Sequence, residues 1–317
     1  MLLSFEQIKD ITVGSLFNVL GEDGAITFNK CTDKQVAAWY VLSETLGNRS
    51  KTTTGVRLDF HTDAKAVKFT LARGNFFDLL INGVLVKHCL TAESKEIYHE
   101  LPTDVSDNRV TLVFPSHHVG SIREVELEEA TYVKRHAFDR KMLFIGDSIT
   151  QGHKSDYDSV SYAYHTSFFF NADSVIQGIG GAMFHETTFD PEIPYDPDIV
   201  IVAYGTNDFG RYKTLDELRQ HVGGFLDGVK GRYGDKQVFC ISPIWRGDDA
   251  KPKTMGMFSE CLDVIKDEIA KHEFIHIDGY TLTPHDPWFY SDGYLHPNAT
   301  GFGIYAINLV KELSKYI

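Results

Sequence analysis

Hydrophobic and polar residues follow two different patterns along this chain of 317 residues. Up to about residue 132, short segments alternate apolar and polar positions between Gly and Asn turns; they cover residues 56–60, 66–71, 77–81, 109–114 and 122–127. A period of two is typical of strands with one buried face, and Asn82-Gly83 is a hairpin signal. The pattern predicts that this half is all-β and forms an antiparallel sandwich.

A charged stretch at residues 134–140 precedes a different pattern, in which apolar strands alternate with amphipathic helices. The candidate strands are short and rich in Ile and Val; they cover residues 142–145, 174–179, 199–204, 238–242 and 275–278. This alternation predicts a three-layer α/β domain with a parallel sheet, whose active loops lie at the carboxyl ends of the strands. The length also favours two domains, and we expect them to cover residues 1–135 and 136–317.

The charge and hydropathy of the chain limit its partners. The formal net charge is −13, and no cluster of Lys and Arg is present. Such clusters neutralise phosphates, so we expect no nucleic-acid partner and favour neutral substrates. No apolar run could span a bilayer, and the amino terminus lacks a basic region followed by a long apolar run. We expect no membrane association and a cytoplasmic location, although a trimmed signal peptide would leave the same pattern.

The cysteine and histidine residues have no metal-binding pattern. The four cysteines stand far apart, at Cys31, Cys89, Cys240 and Cys261, and are expected to be buried reduced thiols. His117-His118 and His185-Glu186 lack the spacing of catalytic zinc helices, so surface histidines are the better interpretation. The pair Gly180-Gly181 lacks the spacing of a dinucleotide-binding loop. We therefore expect neither a metal nor another cofactor.

The best clue to chemistry is Ser148, where the apolar run 142–145 ends in Gly146-Asp147-Ser148. A strand that ends at a glycine turn can place a serine hydroxyl at the carboxyl edge of a sheet, exposed for nucleophilic attack. Ser148 could equally be a helix N-cap, a position that serine favours. The two roles are compatible, because a helix start adds the positive end of a dipole.

Three other segments are expected at loops of the same domain. Gly180-Gly181 and Gly205-Thr206-Asn207-Asp208 follow candidate strands, and residues 291–298, with Asp292 and His296, precede the last helical segment. Together with the Ser148 segment, and in this order, they resemble the SGNH, or GDSL-type, hydrolase superfamily. The resemblance covers residues 140–317 and implies a flavodoxin-like α/β/α fold.

The resemblance implies a role for each residue. Ser148 would be the nucleophile and His296 the base, oriented by Asp292. The backbone N–H groups of Ser148 and Gly181 and the side-chain amide of Asn207 would form the oxyanion hole. Acyl transfer needs these parts: a hydroxyl, a base that titrates near neutrality and donors for the developing negative charge.

One spacing departs from the superfamily, which usually places Asp three residues before His. Here Asp292 precedes His296 by four. In a turn or helix, residues three or four apart still share a face, so Asp292 could remain within reach. A backbone carbonyl or Asp286 of the same loop could orient the imidazole instead.

An antiparallel sandwich before an SGNH domain resembles carbohydrate esterase family 2, which implies a jelly-roll-like first domain and acetylated oligosaccharides as substrates. Trp245 and Trp288 lie where aromatic rings could stack on a sugar, although ordinary loop packing explains them as well. The expected function is a serine esterase that removes short acyl groups from carbohydrate esters. The alternatives are a lipid acyl hydrolase, a non-catalytic carbohydrate-binding protein, and an interaction module in which the first half recruits a partner.

Overall fold

The computed structural model describes residues 1–317 as two antiparallel sheets followed by one parallel sheet. We call residues 1–135 the antiparallel half and residues 136–317 the α/β half. The strands of the first half are β1 (Thr12–Val13), β2 (Phe17–Leu20), β3 (Ile26–Asn29), β4 (Arg57–Thr62), β5 (Ala66–Arg73), β6 (Phe76–Ile81), β7 (Val84–Leu90), β8 (Glu96–Glu100), β9 (Asn108–Val113), β10 (Ser121–Glu128) and β11 (Val133–Arg135). One sheet has the order β1-β4-β9-β6-β7, with β11 on β4, and the other has the order β2-β3-β10-β5-β8.

The two antiparallel sheets enclose one apolar core. Its buried residues come from strands of both sheets, for example Phe60 on β4 and Phe69 on β5. The β6–β7 hairpin turns at Asn82 and Gly83, whose φ angles are 52° and 81°. Two positive φ angles are what a type I′ turn requires, which explains the Asn-Gly pair.

The antiparallel β domain predicted for the first half is confirmed, but this half is not all-β, because it also contains three helices. They are α1 (Phe5–Asp10), α2 (Asp33–Leu42) and α3 (Glu44–Ser50). A capping box starts α2, because the Thr32 hydroxyl accepts from the N–H of Gln35 and the Gln35 side chain accepts from the N–H of Thr32. Trp39 of α2 and Leu46 of α3 are buried in a core of the α/β half. Helices α2 and α3 therefore pack across the boundary between the halves.

The parallel sheet lies between two helical layers, as predicted. Its strands are β12 (Arg140–Gly146), β13 (Ala172–Gly178), β14 (Ile199–Ala203), β15 (Gln237–Ile241) and β16 (Ile275–Ile277). Its helices are α4 (Ser148–Gln151), α5 (Tyr162–Phe169), α6 (Asp208–Arg211), α7 (Leu215–Tyr233), α8 (Phe258–Lys271) and α9 (Ala299–Leu313). A separate apolar core covers each face of the sheet. No helix is long and apolar enough to cross a membrane.

The strand order β13-β12-β14-β15-β16 places a switch point at β12. The chain leaves β12 toward β13 on one side and returns to β14 on the other. In open parallel sheets, ligands bind outside the carboxyl ends of the strands at such a point. Ser148 follows β12 and Asn207 follows β14, so both lie at this edge. The last antiparallel strand ends at Arg135, and β12 begins at Arg140.

Candidate active site

Ser148 occupies a tight turn at the end of β12. A Cβ atom at Gly146 would lie 2.0 Å from the Thr150 hydroxyl, so the turn has room for glycine only. The N-cap of the short helix α4 is Asp147, whose carboxylate accepts the Ile149 N–H at 2.8 Å. The interpretation of Ser148 as the N-cap was therefore wrong, because Asp147 fills that position and Ser148 is the first helical residue. Its hydroxyl is left for the cleft described below.

A chain of hydrogen bonds joins the three residues predicted to be catalytic. The distance from Ser148 Oγ to His296 Nε2 is 2.9 Å, and the distance from His296 Nδ1 to Asp292 Oδ2 is 2.6 Å. The tautomer with its proton on Nδ1 satisfies both contacts, because Nε2 can then accept the serine proton. A hydroxyl, an imidazole and a carboxylate in this order are the arrangement that serine hydrolases use.

The loop around Asp292 explains how a spacing of four residues still brings the carboxylate to the imidazole. Asp292 Oδ1 accepts the backbone N–H groups of Tyr294, Leu295 and His296, at 3.1, 2.8 and 3.1 Å. The chain thus wraps around one carboxylate oxygen and leaves the other for the ring. Partial burial would raise the pKa of Asp292, but these N–H groups and the His296 ring lower it to about 2.

The alternative orienting group, Asp286, does not take part in this chain of hydrogen bonds. Its carboxylate accepts the Trp288 N–H at 2.9 Å and caps a short 3₁₀ helix, Pro287–Phe289. Asp292 is therefore the carboxylate that contacts His296, and the unusual spacing does not require a substitute.

The residues predicted as oxyanion donors lie around the same point. Gly181 has a φ of +85°, which favours glycine, and its N–H has no acceptor within the protein. Asn207 donates one amide hydrogen to the Ala182 carbonyl at 2.8 Å, which holds the side chain in place. An amide carries two hydrogens, so the second is available to a ligand. Both residues line the cleft that Ser148 and His296 share.

This cleft has a volume of about 400 Å³ and no hydrophobic residue in its lining. The lining residues are Arg49, His117, Ser148, Gln151, His153, Gly180, Gly181, Asn207 and His296. Two of them, Arg49 and His117, come from the antiparallel half. Arg49 Nη1 donates to the Gly180 carbonyl at 2.7 Å, next to the predicted oxyanion donor. Sequence reasoning missed Arg49, which lies in no recognisable motif. The interpretation of His117 as a surface histidine was wrong, because this residue lines the cleft and its Nε2 is buried.

Two further histidines adjoin the catalytic chain. The His153 ring meets the His296 ring edge to face, with centroids 4.7 Å apart. On its other side, the centroid of the His117 ring lies 5.0 Å from that of the His153 ring. Burial, together with neighbouring positive charge, lowers the pKa of His153 and of His117 to about 4. Both rings are therefore neutral at pH 7, when each offers one donor and one acceptor.

Two carboxyl groups are buried next to the proposed reacting residues. Burial raises the pKa of Asp147 to about 7 and that of Asp208 to about 8. Asp208 Oδ1 accepts the Phe184 N–H at 3.0 Å, whereas its Oδ2 has no hydrogen-bond partner. Asp208 directly follows Asn207, so its protonated form supports the loop that carries the predicted oxyanion donors.

Trp245 and Trp288 do not line the cleft. Trp245 packs against His285 and Tyr290, with ring centroids 6.0 and 5.0 Å away. Trp288 is 71% exposed. Their predicted role in substrate binding stays a prediction that the shape of this cleft does not support.

The side chains best arranged to hold a metal lie outside the cleft. The possible ligand atoms of His185, Glu186 and His221 lie within 4.8 Å of one another. His221 Nδ1 is already 2.6 Å from the Glu186 carboxylate, and the two histidine rings stack with centroids 4.5 Å apart. Glu186 and His221 are therefore already paired with each other.

The α/β/α fold and the hydrogen-bonded serine, histidine and aspartate define a site of the serine-hydrolase class. Residues 144–304, just over half of the chain, match the GDSL-like lipase/acylhydrolase family, and the chain belongs to this family. No curated protein matches it in sequence.

Solved structures share the two-part fold at low sequence identity. The salicylyl-acyltransferase SsfX3 from a tetracycline biosynthetic pathway is 19% identical, with a TM-score of 0.77 over 96% of this chain and 94% of its own. A family two carbohydrate esterase from Clostridium thermocellum, solved with cellohexaose, is 18% identical, with a TM-score of 0.60 over 82% and 91%. The acetyl xylan esterase Est2A from Butyrivibrio proteoclasticus is 18% identical, with a TM-score of 0.58 over 82% and 89%.

Proposed function

We propose that this protein is a serine esterase that removes short acyl groups, acetyl in particular, from carbohydrate esters. The observation that carries the proposal is the pair of contacts at 2.9 and 2.6 Å that joins Ser148 to His296 and His296 to Asp292. Membership of an acylhydrolase family supports ester hydrolysis. The choice of acyl group and alcohol rests on the polar lining of the cleft.

The first half of the reaction forms an acyl-enzyme. His296 Nε2 takes the proton of Ser148 as Oγ attacks the ester carbonyl, and Asp292 stabilises the imidazolium through Nδ1–H. The N–H groups of Ser148 and Gly181 and the Asn207 amide receive the oxyanion. As the tetrahedral intermediate collapses, the sugar oxygen leaves and takes the proton from Nε2.

The second half releases the acid. Water enters in place of the sugar, and His296 Nε2 removes its proton as the water oxygen attacks the acyl carbonyl. The second tetrahedral intermediate collapses with departure of Ser148 Oγ, which regains the proton from the imidazolium. The products are acetate and the free sugar hydroxyl, and the enzyme returns to its starting state.

The lining of the cleft favours a polar alcohol and a small acyl group. None of the lining residues is hydrophobic, so a long acyl chain would leave apolar surface against polar groups and water. This disfavours the lipid acyl hydrolase. Sugar hydroxyls suit Arg49, Gln151 and the two neutral histidines, which offer donors and acceptors. Two structural relatives support a carbohydrate ligand, because one was solved in complex with cellohexaose and the other is named an acetyl xylan esterase.

The test is acetate release from acetylated xylo- and cello-oligosaccharides, compared with hydrolysis of nitrophenyl acetate and nitrophenyl palmitate. We expect short acetyl esters to be cleaved, and Ser148→Ala to lower kcat by about 10⁵- to 10⁶-fold. Ser314→Ala, at the exposed end of α9, is the matched control and should keep wild-type kcat.

Three results would contradict the proposal. Undiminished turnover in Ser148→Ala would remove the serine mechanism. A preference for palmitate over acetate would favour the lipid hydrolase. Carbohydrate binding without turnover, and without labelling of Ser148 by a serine-reactive phosphonate, would favour the non-catalytic binding protein.

A further inference from the structure

A second cavity, which we call the side pocket, adjoins the cleft. It has a volume of about 290 Å³, and it shares His117 and His153 with the cleft. The two spaces therefore meet at this histidine pair. A ligand whose ester lies at Ser148 could extend past these rings into the side pocket. The side pocket lies close to the lower end of the volume range of about 300–1,000 Å³ that small-molecule sites cover.

One wall of the side pocket is aromatic. The rings of Phe76 and His88 stack with centroids 4.7 Å apart, and Tyr157 meets the His88 ring edge to face at 5.0 Å. All three rings line the pocket. Sugar rings present C–H groups on their faces and hydroxyls on their edges, and an aromatic wall bordered by polar groups matches both. A flat apolar ligand would leave the polar border unpaired.

Polar side chains border the aromatic wall. Asn75, His117, Lys154, Asp156 and Asp158 also line the pocket. Because cationic and anionic groups are both present, the border fits a neutral polyhydroxyl ligand better than a strongly charged one.

The side pocket is held open by hydrogen bonds between the two halves. The buried Asp78 carboxylate contacts His88 Nδ1 at 2.6 Å and accepts the Ser159 N–H at 2.8 Å. In the opposite direction, Asp158 accepts the Ser116 N–H at 2.8 Å. Each half thus anchors a backbone N–H of the other beside the pocket. A site fixed in this way loses little conformational entropy when a ligand binds.

We propose that the side pocket binds the sugar unit next to the esterified one, so that the protein acts on acetylated oligosaccharides in preference to acetylated monosaccharides. The inference rests on the proposed function, because it assigns the pocket to the leaving alcohol of that reaction. It gives the antiparallel half a direct role in substrate recognition through Phe76, His88 and His117.

The test compares kcat/KM for an acetylated monosaccharide, the matching disaccharide and 4-nitrophenyl acetate. Wild type should prefer the disaccharide. Tyr157→Ala should lower kcat/KM for the disaccharide by about 5- to 20-fold, mainly through KM, since stacking in the ground state and in the transition state is lost together. The kcat/KM of the same variant for 4-nitrophenyl acetate should stay within about twofold of the wild-type value. Tyr98→Ala is the matched control, because Tyr98 is 41% exposed and Tyr157 38%, and Tyr98 lies on β8 outside both cavities.

A binding measurement separates failure of this inference from failure of the proposed function. The Ser148→Ala variant is titrated with unesterified cellobiose and xylobiose, and binding is measured by calorimetry. We expect this variant to bind the disaccharides, and the double variant Ser148→Ala/Tyr157→Ala to bind them more weakly. Such binding without esterase activity in the wild type would sink the proposed function and keep the pocket. Equal kcat/KM for monosaccharide and disaccharide, or a Tyr157→Ala effect equal on all three esters, would overturn the pocket assignment. Phe76→Ala, on the same aromatic wall, should lower kcat/KM for the disaccharide in the same way, which would show that the whole wall and not Tyr157 alone contributes to binding.

Discussion

The two walls of the cleft contribute different things. The α/β wall holds Ser148, His296 and Asn207, all at loops around the carboxyl edge of the parallel sheet. The antiparallel wall holds Arg49 and His117, and neither touches the Ser148–His296 hydrogen bond. In the proposed reaction, bonds form and break on the α/β wall, while the antiparallel wall determines which alcohol fits.

The two halves also differ in the pKa values of their buried carboxyl groups. In the antiparallel half, Asp59 is fully buried between Arg57 and Arg109. Burial alone would raise its pKa, but the two guanidinium groups outweigh burial and hold the pKa below the ordinary value. In the α/β half, burial raises the pKa of Asp147 and Asp208, because it outweighs the hydrogen bonds that both carboxyl groups accept and the charge of Arg246 near Asp147. Perturbed carboxyl groups of this second kind are common at functional sites. The difference separates a structural ion pair from a pair of groups that support the site.

The largest test of this division is at Asp292. In Asp292→Asn an amide N–H would face His296 Nδ1 and favour the tautomer with its proton on Nε2, which cannot accept the serine proton. We expect kcat for acetyl esters to fall by about 10³- to 10⁴-fold with little change in KM. Steady-state kinetics on 4-nitrophenyl acetate measures this loss.

Asp286→Asn is the matched control for Asp292, since both carboxylates lie in the same loop and only Asp292 contacts the ring. A loss of kcat below tenfold in Asp292→Asn would assign the orienting role to another group.

The pKa of Asp292, about 2 and so below the ordinary 3.8, also has a consequence for stability. Ionised Asp292 stabilises the fold above pH 3.8, and this contribution is lost as the pH falls through about 2.

The next largest effect is expected at Asn207. Asn207→Ala removes one proposed oxyanion donor, which contributes mainly in the transition state, so kcat should fall by about 10²- to 10³-fold. KM for the same ester should stay within a few-fold. Asn18→Ala, on β2 of the antiparallel half, provides the control for loss of an amide away from the cleft. If kcat of Asn207→Ala matched that control, the oxyanion hole would have to be built from backbone N–H groups alone.

Sequence reasoning reached the proposed reacting residues of the α/β wall because each of them lies in a local pattern, whereas it missed Gln151 and His153 on the same wall. Ser148 and Asn207 come directly after buried apolar strands, and parallel strands bring their carboxyl ends to one edge. The contact between Asp292 and His296 was harder to predict, because it depends on a loop that wraps three N–H groups around one carboxylate oxygen. Only the tertiary structure shows that a spacing of four residues reaches the ring.

The antiparallel wall could not be predicted in the same way. Arg49 lies on α3, whose packing depends on contacts with residues more than 100 positions later, such as the Gly180 carbonyl. A local signal for the neighbouring helix α2 was present, since Thr32 and Gln35 have the spacing of a capping box. That signal predicts a helix start but not the surface against which the helix packs. For Trp245 and Trp288 the limit is different, because aromatic residues in a loop are visible in the sequence but the sequence does not specify which way their rings face; their role in substrate binding stays a prediction.

The smallest expected effect concerns the buried carboxyl of Asp208 and sharpens the contrast with Asp59. Its pKa is raised from the ordinary 3.8 to about 8, so its contribution to stability is fully present below pH 3.8 and is lost as the pH rises through about 8. Asp208→Asn keeps an oxygen that can accept the Phe184 N–H and removes the titration. We expect the Tm of this variant, relative to that of wild type, to be several °C higher at pH 9 than at pH 5, because wild type loses the stabilising proton over that interval. Asp59→Asn should instead lower the Tm at both pH values, because it leaves the buried Arg57 guanidinium and the half-buried Arg109 guanidinium without their carboxylate. Differential scanning calorimetry of both variants measures the contrast, and equal pH dependence of Asp208→Asn and wild type would show that the Asp208 carboxyl is ionised in the folded protein.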